Sequence, residues 1–139
     1  MTVNNLIGVM VTSIKTLRNE FVDGSTSDNT WAIEFKPVLG DNKEHFLHIS
    51  IIFTYKFDST KHVSHISETV FLTEKLSYSD LRPDNDDRVD LFAELGLMSY
   101  SHSRVLFNQL NPTLTIPHTV FTKDIKPEVL RQFSPAQEQ

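Results

Sequence analysis

A chain of 139 residues is one domain's worth of polymer, long enough to take roughly two-thirds of its unfolded surface out of water. It holds no cysteine, which excludes disulfide staples, thiolate metal sites and a cysteine nucleophile, and permits a reducing compartment. With 13 Lys and Arg against 18 Asp and Glu the formal net charge is −5, which opposes attraction to nucleic-acid phosphates and anionic membranes.

Met1 to Val11 has no basic leading segment and no small-residue cleavage site, so no secretory signal is expected there. The densest apolar stretch, Phe46 to Phe57, is interrupted by His48, Ser50, Thr54 and Lys56, too polar for a membrane helix. A soluble, cytoplasmic protein is the expectation.

From Ile7 to Phe21 the apolar residues change parity: Ile7, Val9 and Val11 on one side, Ile14 on the other, Leu17 and Phe21 back on the first. A strand with a bulge near Thr12 to Ile14 accounts for the slip. Val22 to Thr30 reads as a turn or loop. Trp31, Ile33 and Phe35 alternate with Ala32, Glu34 and Lys36, the pattern of a half-buried strand running to Leu39. An odd-length loop around Gly40-Asp41-Asn42, with a glycine or asparagine in the left-handed region, joins it to the next strand.

The clearest alternation follows, with Leu47, Ile49, Ile51, Phe53, Tyr55 and Phe57 on one face of Glu44 to Phe57. A turn at Asp58-Ser59-Thr60-Lys61 leads to His62 through Lys75, where Ile66, Val70 and Leu72 share a face. Pairing Phe57 with His62 brings Phe53 to Ile66, Ile49 to Val70 and Leu47 to Leu72, a self-consistent register. It places His48 opposite Phe71 and His65 opposite Thr54, and sets Phe46 and Phe71 on the face away from Phe35, Phe53 and Phe57.

After a turn over Tyr78 to Pro83 the period changes. The acidic run Asp84 to Asp87 suits a helix N-terminus, and Val89, Leu91, Phe92, Leu95 and Met98 follow at helical spacing. Gly96 is a candidate break, and the second half, Ser99 to Leu110, stops at Asn111-Pro112. An extended segment with Leu114, Ile116, Pro117, Val120 and Phe121 precedes a short helix over Pro127 to Phe133.

The chemistry-bearing residues have structural explanations. His45 and His48, like His62 and His65, are three apart, and on a strand such pairs point to opposite faces, so neither chelates one ion; solvent-facing strand histidines are expected, with no metal site. His102 sits within Ser101-His102-Ser103-Arg104 without a strained nucleophile turn, so a packed or hydrogen-bonded histidine is expected. The acidic run lacks the glycine and terminal glutamate of a calcium loop. Glycines at 8, 24, 40 and 96 build no phosphate loop. Basic residues are not interleaved with the strand aromatics as a nucleic-acid sheet requires. No catalytic residue, cofactor or nucleic-acid partner is assigned.

The order of elements resembles the SecB-type export chaperone family and its shorter relatives beside toxin–antitoxin systems. The likeness rests on Ser101-His102-Ser103-Arg104-Val105-Leu106-Phe107, similar to a helix motif of that family, and on Leu114, Ile116, Pro117 and Phe121, similar to its proline-containing segment before the last helix. It spans about Val9 to Gln132. The resemblance implies an α+β fold over residues 1–133, with a four-stranded antiparallel sheet, a long helix, the extended segment and a short C-terminal helix. Residues 134–139 are left as a polar tail.

It further implies a non-catalytic, ATP-independent protein that holds unfolded or nascent polypeptide in hydrophobic grooves, as a homo-oligomer, dimer or tetramer, in export or a toxin–antitoxin system. By position the groove candidates are Phe53, Tyr55, Leu114, Ile116 and Phe121. Where the export chaperone has an acidic patch for its translocase motor, this chain has Lys15 and His65. A small adaptor gripping one folded protein through the same apolar surface is the alternative. Aromatics expected on both sheet faces make association with a partner the common expectation.

Overall fold

The computed structural model describes residues 9–24, 28–73, 84, 86–116 and 119–133. The expectations for Ile7, the turn over 78–83, Pro117 and the tail 134–139 lie outside them. The elements are β1 (Met10–Asp23), β2 (Thr30–Leu39), β3 (His45–Lys56), β4 (Lys61–Leu72), α1 (Asp86–Leu110) and α2 (Thr122–Phe133). This is an α+β fold: one antiparallel sheet in the order β1-β4-β3-β2, with both helices on one side. No helix among the described residues is long and apolar enough to cross a membrane.

The β2–β3 hairpin has the odd-length loop its pattern predicts. Gly40 N–H donates to Glu44 O at 2.7 Å, and Asp41-Asn42-Lys43 form the loop. The left-handed residue is Lys43 (φ 66°), neither glycine nor asparagine. Trp31, Ile33 and Phe35 then meet Phe53, Ile51 and Ile49 on the helix side.

The β3–β4 register differs from the expected one by one residue. Asp58 Oδ1 accepts from Thr60 N–H at 2.8 Å and from Lys61 N–H at 2.9 Å, which tightens the turn. The loop closes on Phe57 N–H donating to Lys61 O at 3.0 Å, with three residues where four were expected. Phe53 therefore lies opposite His65 and His48 opposite Val70. A one-residue slip turns a strand over. The helix side of β4 carries Val63, His65, Ser67, Thr69 and Phe71, all buried, while Ile66, Val70 and Leu72 share the other face with Phe46. Phe71 is thus a core residue, and of the two aromatics expected on the helix-free face Phe46 alone lies there.

The core lies between the helix side of the sheet and α1, where Phe53, Tyr55 and Phe107 pack at ring separations of 5.4 to 5.9 Å. α1 runs unbroken through Gly96. A Cβ there would meet Ile125 and Ile33 at 3.0 Å and Phe35 at 3.2 Å, so the glycine is where α2 and β2 come closest to α1. α2 starts earlier than Pro127 suggests, because Asp124 Oδ2 accepts from Phe121 N–H at 2.8 Å and caps the helix from within its first turn. Ile125 and Val129 anchor it in the core.

Candidate functional site

The parity change in β1 has two causes. One bulge lies between Val11 and Ser13, close to the expected place, and a second between Thr16 and Arg18. Each resets the alternation, so Val11, Ile14, Asn19 and Phe21 lie across from the helix-side residues Phe71, Thr69, His65 and Val63 of β4. Apolar residues three and seven apart, Val11, Ile14 and Phe21, thereby share one face of a strand.

α1 lies over β3 and β4 and leaves this row largely uncovered. Val11, Ile14 and Phe21 (53%) are exposed, as is Leu17 (49%) at the second bulge. Phe21 meets the ring of Phe57, also exposed, edge-on at 4.8 Å. Across from β1, Met98 and Val105 stand two turns apart on one stripe of α1, both exposed. Val9, Val11, Phe71, Leu95 and Met98 line a shallow apolar pocket between strand and helix. The result is an apolar trough walled by β1 and the α1 flank. Among the described residues β1 is also a sheet edge, paired only with β4.

A polar row floors the interface between β4 and α1. Ser67 hydrogen-bonds Ser103, and Thr69 Oγ1 lies 3.2 Å from His102 Nδ1. His65 Nδ1 donates to Asn19 Oδ1 at 2.9 Å, and Asn111 Nδ2 donates to the same oxygen at 2.8 Å. This ties β1, β4 and the end of α1 together. Burial pushes His65 down to about 4 and also lowers His102, so both are neutral at pH 7. His65 Nε2 and Thr16 Oγ1 are buried without a hydrogen-bond partner among the described residues.

His65 is therefore a buried residue and not the solvent-facing one expected. His48 lies 3.1 Å from Glu68 Oε2 on the helix-free face. Among the described residues no three His, Asp or Glu converge to hold a metal ion.

The five groove candidates fall in different places. Phe53 and Tyr55 are enclosed beneath α1, and Ile116 is buried in the same core. Leu114 is half-buried against it, while Phe121 is 54% exposed with Lys123 Nζ 5.6 Å from its ring centroid. The trough residues Val11, Ile14, Met98 and Val105 were not among the candidates. For Val11 and Ile14 the signal was the three-residue apolar spacing in a β-branched stretch, which a bulge converts into one face.

No family model matches the chain, and no curated protein matches it. Among solved structures the chain is similar to a protein of unknown function from Streptococcus agalactiae. The two are 13% identical with a TM-score of 0.45 over 81% of this chain and 97% of that one. It is also similar to a SecB-like chaperone of Mycobacterium tuberculosis, solved with an antitoxin peptide. Here identity is 14% and the TM-score 0.42, over 86% of this chain and 97% of that one.

Proposed function

We propose that this protein holds extended apolar segments of unfolded polypeptide in the trough between β1 and α1, without catalysis and without ATP, and that copies associate through the open edge of β1. The observation that carries the reading is the row Val11, Ile14 and Phe21 on an edge strand facing the exposed Met98–Val105 stripe of α1. Large apolar side chains beside an unpaired backbone edge form a surface that solution proteins cover with a partner. An extended segment places alternate side chains in the trough, and the second copy pairs with the backbone edge beside it. Leu114 and Phe121 keep accessible apolar surface and are included. Phe53, Tyr55 and Ile116 support the site by fixing the sheet and α1. The work belongs in the cytoplasm, which a chain without cysteine suits.

The test is aggregation of a chemically unfolded client diluted into buffer at a near-equal ratio of this protein. Suppression is expected, and Ile14→Asp reduces it severalfold by setting a charge in the trough. Unchanged client aggregation at that ratio overturns the reading. Capture of a single folded protein, with no binding to unfolded chains, assigns the surface to an adaptor instead.

A further inference from the structure

The sheet has a second edge, β2, and it is treated differently. Gly40 and Glu44 form a hydrogen-bonded pair, so the even residues of β2 bond β3 and the odd ones turn their backbone groups outward. The outward row is Trp31, Ile33, Phe35, Pro37 and Leu39. At its centre the side-chain amide of Gln132, in the last turn of α2, makes both bonds of a strand residue. Phe35 N–H donates to Gln132 Oε1 at 2.8 Å, and Gln132 Nε2 donates to Ile33 O at 2.9 Å. Pro37 offers no N–H to an incoming strand.

The body of α2 does not close this edge. A cleft of about 320 Å³ lined by Trp31, Ala32 and Ile33 on one side and Asp124 and Glu128 on the other separates the two. The amide bridges from an anchored position: Phe133, next to Gln132, packs edge-on against Phe35 at 5.7 Å and Phe92 at 5.6 Å.

We propose that Gln132 is a strand stop, whose amide takes the Phe35 N–H that the β2 of a second copy would otherwise engage. The occupant it excludes is set by charge. Two β2 strands paired antiparallel about Phe35 would place Glu34 of each opposite Lys36 of the other, two opposite-charge pairs between exposed residues of one face. With β2 closed, edge-to-edge pairing is confined to β1 and ends there. This last step rests on the reading of β1 above. With both edges open, pairing by two different two-fold contacts would run on without closing.

The experiment compares the native mass of the full chain with that of Gln132→Ala across protein concentration. It also follows amide exchange at Phe35 in the natural chain. The expected result is a variant mass at least twice the natural one and rising with concentration, returned to the natural value by adding Lys36→Glu. Exchange at Phe35 in the dilute variant should be about tenfold faster than in the natural chain, the worth of one hydrogen bond. A monomeric natural chain with a dimeric variant upholds the strand stop and overturns pairing through β1. Equal masses, or a Phe35 amide in the natural chain exchanging as fast as an open edge position, overturn the strand stop. Gln132→Leu, which keeps bulk and helix propensity without the amide, repeats the comparison should the alanine variant unfold.

Discussion

His65 shows how a polar residue comes to occupy the centre of this core. Its ring packs against Phe53 and Phe107 at 6.3 and 5.4 Å, its Nδ1 is held by Asn19, and burial disfavours its charged form. The folded pKa, about 4, lies below the ordinary value of 6.5, so the unfolded chain takes up the proton first. The stability tied to a neutral His65 is complete above pH 6.5 and declines as pH falls to about 4, by about 3 kcal/mol in all. Urea midpoints measured from pH 7 to 4 should fall more steeply for the natural chain than for His65→Phe, in which other groups titrate unchanged. Parallel curves would refute this. No apolar pattern could have placed His65 inside: its burial follows from its Nδ1 and the Asn111 amide, distant in sequence, both donating to the side-chain oxygen of Asn19. Phe53 and Tyr55, in contrast, lie in an unbroken alternation, and their shared face was legible from spacing alone.

Among the elements, β2 and β3 were readable because one face of each is apolar and the other polar, so period and burial agree. β4 was not. Its apolar residues Ile66, Val70 and Leu72 favour one register, whereas the turn at Asp58 and the hydroxyls that Ser103 and His102 satisfy select the other. Polar strand residues can face a helix when that helix supplies their partners, a condition only tertiary structure reveals. α1 presents the converse case, with Gly96 continuing a helix that its sequence seemed to interrupt. Gly96→Ala adds helix propensity but drives a methyl against Ile125 of α2 and Ile33 and Phe35 of β2 at once. A net loss of about 1–2 kcal/mol is expected in denaturant melts, since no single neighbour can move to make room. A stabilised variant would mean that α2 shifts freely.

For the whole molecule, the element order implied by the family resemblance is the order found, and the aromatic load is resolved differently from the expectation. Most of it is internal, around Phe53, Phe71, Phe92 and Phe107, and the exposed apolar surface gathers on β1 and its flank. The expectation of association thus moves from the two sheet faces to one edge. Native mass in solution should exceed that of a monomer, and Leu17→Lys should return it to the monomer with little change in melting temperature, because Leu17 is half-exposed at a bulge and outside the core. A natural chain that stays monomeric at high concentration would refute pairing through β1.

The two bulges carry one more consequence. A bulge increases the local right-handed twist of its strand, and β1 has two within 14 residues. A strand laid along this edge must coil with it, which a second copy, carrying the same bulges, can do. The flat, in-register layers of an amyloid fibril cannot. The features that bring Val11, Ile14 and Phe21 onto one side therefore also let a long, sticky edge pair with a second copy without seeding a fibre.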